Sequence, residues 1–123
     1  MSRYIDVNVK TRYLENESKP DESCYVYAYE IDITNNGDIA AQLISRHWKI
    51  VDSREDTQEV QGLGVVGQQP TLQPGENYTY TSGVVLHTES GYMQGSYTLR
   101  DENGIEFTAE IPAFALVIPS ALH

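Results

Sequence analysis

Apolar and polar residues alternate with a period of two along almost the whole chain, and this alternation restricts the fold more than any other feature. The clearest case is residues 24–34, where one side carries Tyr25, Tyr27, Tyr29, Ile31 and Ile33. Successive side chains of a β-strand point to opposite faces, so the pattern is typical of a half-buried strand. No segment shows the i, i+3, i+4 spacing of an amphipathic helix. The sequence therefore predicts an all-β protein.

Seven segments have this strand pattern: 3–14, 24–34, 42–52, 57–61, 76–86, 92–100 and 105–117. Turn-forming pairs separate several of them, namely Pro74-Gly75, Ser90-Gly91 and Asn103-Gly104. About seven short antiparallel strands favour an immunoglobulin-like or fibronectin type III-like β-sandwich, with a partly open barrel as the alternative. Because the chain has 123 residues and no linker or repeat, we expect one domain over residues 1–123.

The charge balance excludes several classes of partner. The chain carries 18 Asp and Glu against 8 Lys and Arg, a formal net charge of −10. Phosphate backbones and anionic lipid surfaces repel such a chain, so nucleic-acid binding is not expected. No stretch approaches the roughly 18 apolar residues of a membrane span, and the first residues lack a signal peptide's apolar core. We therefore expect no membrane insertion and a cytoplasmic location, with which the single cysteine, Cys24, agrees.

A glycine motif is the most conspicuous candidate site. Residues 62–67 read Gly-Leu-Gly-Val-Val-Gly, which formally matches GxGxxG. In dinucleotide-binding folds such glycines lead into a helix whose N-terminus holds pyrophosphate. Here Pro70 and Pro74 follow too closely for that helix. We interpret the segment as a loop or irregular edge strand, and a binding loop with exposed amides for an anion or a peptide stays open.

Catalytic and metal-binding patterns are weak in this sequence. The histidines His47, His87 and His123 are scattered and form no HxxxH or HxE spacing. Ser45 and His47 share a strand face, but the sequence shows no acid that would orient the histidine. We assign no catalytic residue, no metal ligand and no cofactor, and we expect that the protein is not an enzyme.

The C-terminal run of residues 111–119 is apolar on both strand faces and has a proline near each end, Pro112 and Pro119. One interpretation is a covered last strand, because prolines blunt pairing and exposed apolar edges aggregate. The other is a contact surface, which would allow a homodimer through a strand edge.

Several ordered blocks together resemble one family, ApaG, also called CorD. The blocks are residues 25–29, 33–35, 42–48, 60–70, 72–75, 91–97 and 111–114, and the resemblance covers essentially the whole chain. It implies a fibronectin type III-like sandwich. One departure is the stretch Asp52 to Asp56, which lacks the glycine expected in that turn.

The resemblance implies little chemistry. Similar domains occur in eukaryotic F-box proteins and in a polymerase-interacting protein, which implies a partner-binding module. The bacterial stand-alone form is linked to cobalt tolerance and magnesium efflux, and its glycine motif has suggested pyrophosphate binding. The family transfers no catalytic residue to this chain.

From these observations we expect a non-enzymatic module that binds a still unidentified protein partner. The alternative is a protein that responds to a small ligand or ion, namely pyrophosphate, a nucleotide or a divalent cation. The candidate surface consists of Arg46, His47, Gly62, Gly64, Gly67, Gln68 and Pro70.

Overall fold

The computed structural model describes residues 4–119, so the start of the strand predicted from residue 3, and His123, lie outside the described residues. Eight strands follow one another in this part of the chain, with 3-10 turns at Glu15–Glu17 and Pro20–Glu22. The strands are β1 (Ile5–Tyr13), β2 (Tyr25–Asn35), β3 (Ala41–Asp52), β4 (Thr57–Leu63), β5 (Thr71–Leu72), β6 (Asn77–Leu86), β7 (Gly91–Asp101) and β8 (Glu106–Leu116). All seven predicted strands are present, and only the two-residue β5 was not predicted.

The strands form two antiparallel sheets that pack as a sandwich. One sheet has the order β1-β2-β6, and the other has the order β4-β3-β7-β8, with β5 also pairing with β3. This arrangement confirms the predicted fibronectin type III-like β-sandwich. Residues 4–119 contain no helix with the length and apolarity that a membrane crossing requires.

The core consists of the inward side chains that the alternation identifies. In β2 the residues Tyr27, Tyr29, Ile31 and Ile33 are all buried, as are Trp48 and Ile50 of β3. Trp48 contacts Tyr29, Tyr97 and Phe114 edge-on, with ring centroids 5.4, 6.5 and 5.9 Å away. Each fully buried aliphatic side chain contributes roughly 2 kcal/mol to stability.

A β-bulge in β3 corrects one detail of the sequence interpretation. In the predicted strand 42–52, a strict period of two places Ile44 on the inward face together with Trp48 and Ile50, but Ile44 is only half-buried and Leu43 is fully buried. The pairing of β3 with β7 shifts register between Leu43 and Ser45. An extra residue in one strand reverses the phase of the alternation, so the residues before the bulge point inward at odd positions.

Two hairpin turns share one conformation, although only one of them contains glycine. In the turn between β7 and β8, Gly104 adopts φ 81° and its amide donates to Asp101 O. In the turn between β3 and β4, Glu55 adopts φ 67° and its amide donates to Asp52 O. The turn that lacks the expected glycine therefore forms with the same geometry, and its glutamate occupies the left-handed region that glycine favours.

Asn35 joins three segments at one end of the sandwich. Its Nδ2 donates to Ile39 O and to Leu72 O, both at 2.9 Å, and its Oδ1 accepts from Gly37 N at 2.9 Å. The side chain is buried, with an exposed fraction of 1%. Buried polar groups are expensive unless they are bonded, so Asn35 fixes the β2–β3 loop against β5 rather than only ending a strand.

Candidate functional site

The glycine motif forms a tight hairpin between β4 and β5. Val65 and Gln68 exchange two backbone hydrogen bonds, 2.8 Å from Val65 N to Gln68 O and 2.9 Å in return. The two residues between them have positive φ, 47° at Val66 and 78° at Gly67. Positive φ at both central residues of a two-residue loop is the signature of a type I′ turn. The motif therefore leads into a hairpin and not into a helix, in agreement with the exclusion of a helix by the two prolines that follow it.

Gly64 is required at the base of this hairpin for two reasons. Its φ of 64° lies in the left-handed region, and a Cβ at this position would lie 2.3 Å from Gln68 O. Its amide donates to Ile44 O at 2.8 Å, which ties the hairpin to β3. A close backbone approach thus explains this glycine without any ligand.

Arg46 braces the hairpin from the neighbouring strand. Its Nη1 donates to Leu63 O at 3.1 Å and to Gly64 O at 2.9 Å. The guanidinium lies against Gly62, where a Cβ would be 2.8 Å from Nη1. Gly62 and Leu63 belong to β4 rather than to the loop. The absence of a side chain at Gly62 is what allows the arginine to reach the hairpin carbonyls.

The return arm of the hairpin is also anchored to β3. Leu43 N donates to Pro70 O at 2.9 Å, and Gln69 Nε2 donates to Ile44 O at 2.9 Å. At the turn itself, Val65 is completely buried in the core. Both arms and one side chain of the turn are therefore fixed, so the hairpin is a rigid projection from the edge of the sheet.

Two apolar side chains at this hairpin are largely in solvent. Leu63 is 74% exposed and Val66 is 62% exposed. Val66 is in addition a β-branched residue with positive φ, which is rare because the branched side chain crowds the backbone in that region. Neither residue belongs to the candidate set predicted from the glycine motif. The available signal was an apolar residue between glycines within residues 60–75, a stretch without Asp, Glu, Lys or Arg.

His47 points away from the hairpin, although it borders one groove together with Arg46 and Gly62. Neighbouring residues of β3 point to opposite faces, so His47 lies on the outer face of the sheet while Arg46 points toward the hairpin and the core. His47 Nε2 is 3.3 Å from Glu59 Oε1, an acid that the sequence analysis did not identify. The groove has a volume of about 440 Å³ and is lined by the candidate residues Arg46, His47 and Gly62 together with Ser45, Gln61, Leu63 and Thr98. Ser45 makes no hydrogen bond to His47, so Ser45, His47 and Glu59 do not form a catalytic relay.

A buried tyrosine pair lies behind Arg46. The hydroxyls of Tyr80 and Tyr97 are hydrogen-bonded to each other across the two sheets. Burial raises the pKa of both phenols well above the ordinary tyrosine value, and the Arg46 guanidinium offsets only a small part of this shift. Both phenols are therefore neutral at physiological pH and act as core groups.

Residues 4–119 offer little to a metal ion. No group of three or more His, Cys, Asp or Glu side chains in this part of the chain is arranged to hold one. Cys24 is a free, half-buried thiol. Among the polar groups of the hairpin, the side chains of Arg46 and Gln69 and the amides of Gly64, Val65 and Gln68 already donate hydrogen bonds within the protein.

Comparisons with known proteins identify close relatives. Residues 15–101 match the family model described as the ApaG domain. Protein ApaG of Aromatoleum aromaticum is 52% identical over 119 residues, covering 97% of this chain and 94% of the relative, and protein ApaG of Thiobacillus denitrificans is 54% identical with the same coverage. The crystal structure of the putative ApaA protein from Bordetella pertussis superimposes with a TM-score of 0.93 at 50% identity, covering 95% of each chain.

Proposed function

This chain belongs to the ApaG domain family, and we propose that it is a non-enzymatic cytoplasmic protein-binding module, a single domain over residues 1–123. The proposed contact surface is the tip of the hairpin, defined by Leu63, Val66 and Gly67. The partner is a protein that presents a small apolar cleft to this tip.

The observation that carries the proposal is the exposure of Leu63 and Val66 on a rigid hairpin. Exposed large apolar side chains lower solubility, and when they project from an ordered element they are typical of protein contact sites. A rigid tip loses little conformational entropy on binding, which supports affinity from a small surface. The positive φ of Val66 is unfavourable for valine, so asparagine would suit the turn better than the residue present.

The alternative ligands have less support at this site. Pyrophosphate or a nucleotide would need several free amides, but those of Gly64, Val65 and Gln68 already donate to carbonyls, which leaves the two amides of Val66 and Gly67 at the turn. It would also need a free cation, and Arg46 is engaged with Leu63 O and Gly64 O. Since the chain carries a net charge of −10, its field opposes anions further. Of the alternative ligands, a divalent cation is the one that agrees with this negative charge.

Quantitative capture from lysate with purified tagged protein tests the proposal. We expect proteins captured by the wild type to be lost with Leu63→Ser and with Val66→Asn. Capture should persist with Ile105→Ser, a matched control at an exposed apolar residue in a different turn. The captured partner is then purified, and titration calorimetry should show binding weakened about tenfold or more by Leu63→Ser. Equal affinity of the wild type and Leu63→Ser would overturn the placement at the hairpin tip.

Amide NMR titrations separate the proposal from its alternative. We expect no saturable shifts at residues 62–67 on addition of pyrophosphate, ATP, magnesium or cobalt. Saturable shifts confined to that segment would instead support the ligand-responsive function.

A further inference from the structure

Strand β6 is an unprotected edge of the three-stranded sheet. Within residues 4–119, the order β1-β2-β6 leaves one side of β6 without a neighbouring strand. Its register with β2 is continuous from Asn77 to Leu86, without a bulge. A long, regular edge strand presents a row of unpaired amides and carbonyls to which another strand can pair.

The hydrogen-bonding pattern shows which groups of β6 are unpaired. Asn35 N donates to Glu76 O, whereas Asn36 N donates to Tyr4 O on the other side of β2. Odd-numbered residues of β2 therefore bond to β6, and their partners in β6 are even-numbered. The amides and carbonyls of the intervening residues point away from β2, and their side chains are exposed. These residues are Asn77, Thr79, Thr81, Gly83 and Val85.

The other three edges are protected, each in a different way. Strand β8 carries Glu106 and Glu110, and its register with β7 shifts near Pro112. Strand β1 carries Asp6, Lys10 and Arg12 on its outer face and lies close to β8. Strand β4 has Glu59 on its outer face and ends in the hairpin. Charges, prolines and bulges are the devices that discourage strand pairing, and β6 has none of them.

The charge distribution indicates what kind of partner can approach β6. Residues 60–88 contain one charged residue, Glu76, although the whole chain carries 18 acidic residues. Two copies of a chain with net charge −10 repel each other wherever their carboxylates meet. Strand β6 itself places no charged side chain opposite a second copy. The carboxylates beside it belong to β2: Glu30 is the cross-strand partner of Thr81, and Asp32 accepts hydrogen bonds from Asn77 and Thr79.

We propose that β6 pairs with β6 of a second copy, forming a symmetric homodimer about Thr81. In antiparallel self-pairing around this residue, Asn77 lies opposite Val85 and Thr79 lies opposite Gly83. Five residue pairs with two hydrogen bonds each would join the sheets into one six-stranded sheet. The side chains that meet are small and uncharged, and threonine pairs across strands are favourable. The edge thus differs from the C-terminal one considered from the sequence, because Pro112 and two glutamates protect β8.

Sedimentation velocity of purified protein tests the homodimer. We expect the wild type to dimerise with a dissociation constant between about 10 μM and about 1 mM. The dimer should be tighter at higher salt, because salt screens the net charge. Thr81→Lys should weaken the dimer about tenfold or more, because the two lysines would face each other at the symmetry axis. Thr108→Lys is the matched control, since it places the same charge change on an exposed threonine of the β8 edge and should leave association unchanged. A wild type that stays monomeric at all concentrations, or a Thr81→Lys variant that dimerises as the wild type does, would overturn the proposal.

Hydrogen exchange of the wild type supplies a readout that needs no variant. Amides of Thr79, Thr81 and Gly83 should exchange freely in dilute protein and become protected as the concentration rises. A dimer that leaves these amides unprotected would show that the chains meet elsewhere and would contradict the assignment to β6. Self-pairing at β6 and partner binding at the hairpin tip involve different residues, so each can fail without the other.

Discussion

Replacing Val66 with asparagine should make the protein more stable while it removes an exposed apolar side chain from the hairpin tip. Val66 has a φ of 47° in a two-residue turn, and Gly67 follows it with a φ of 78°. Asn-Gly is the pair that type I′ turns favour most, since asparagine tolerates the left-handed region and valine does not. The substitution therefore corrects the least favourable residue of the turn.

The size of the effect is a difference between two terms. A residue other than glycine in the left-handed region costs about 1–2 kcal/mol, and asparagine avoids much of that cost. Val66 is 62% exposed, so the loss of its remaining contacts costs only about 0.5–1 kcal/mol. The net gain in unfolding free energy is about 0.5–1 kcal/mol, which raises the Tm of a domain of this size by roughly 2–4 °C.

Thermal and denaturant unfolding followed by circular dichroism measures this gain. Leu63→Asn is the control, because Leu63 is equally apolar and exposed but lies in β4, where asparagine relieves no strain and lowers strand propensity. We expect the Tm to rise with Val66→Asn and to stay level or fall with Leu63→Asn. A lower Tm for Val66→Asn, or an equal rise for both variants, would refute the reasoning from turn geometry.

Four further predictions concern the scaffold, and denaturant unfolding measures each. Asn35→Ala should lower the unfolding free energy by about 2–4 kcal/mol, because it leaves the carbonyls of Ile39 in the β2–β3 loop and of Leu72 in β5 without this partner; a loss under about 0.5 kcal/mol would contradict this. Tyr80→Phe and Tyr97→Phe should each cost about 1–2 kcal/mol and the double variant less than their sum, since a single change leaves one buried hydroxyl unpaired. Because burial raises the pKa of Tyr97, the wild type should keep its full stability below about pH 10 and lose stability as the pH rises further. Additive losses in the double variant would contradict the first of these two predictions, and an unfolding free energy that stays constant above pH 10 would contradict the second. Glu55→Gly should leave the unfolding free energy unchanged or raise it by up to about 1 kcal/mol, whereas Gly104→Glu should lower it by about 1–2 kcal/mol. If both variants lowered the unfolding free energy by the same amount, the two turns would not share one conformation.

Much of the fold follows from the sequence because β-strands encode their two faces locally. The inward residues of β2, from Tyr27 to Ile33, are those that the alternation identifies, and the turns at Pro74 and Gly104 occur where the sequence predicts them. Local periodicity and turn chemistry need no knowledge of distant residues, so these elements are readable from one chain.

The candidate site was less accessible from the sequence. The prolines after the glycine motif correctly excluded the helix of a dinucleotide site, and the structure brings the Arg46 guanidinium into contact with the hairpin. The opposite orientation of Arg46 and His47 follows from alternation within β3, whereas the groove that both border, the contact of His47 with Glu59, and the exposure of Leu63 and Val66 depend on how β4 pairs with β3. These are properties of pairing between strands, which alternation within one strand does not report.

The sequence by itself determined the all-β class, the positions of seven strands and the absence of a helix after the glycines. Only the tertiary structure decided the phase of β3, the role of Arg46 as a brace and the exposure of the β6 edge. A single bulge between Leu43 and Ser45 reverses the alternation, and the residue types at this position do not predict it. Strand order likewise arises from contacts between residues far apart in the chain, such as those of Ile31 with Tyr80. Such contacts depend on how whole sheets pack, whereas the period of two depends only on the geometry of the extended backbone.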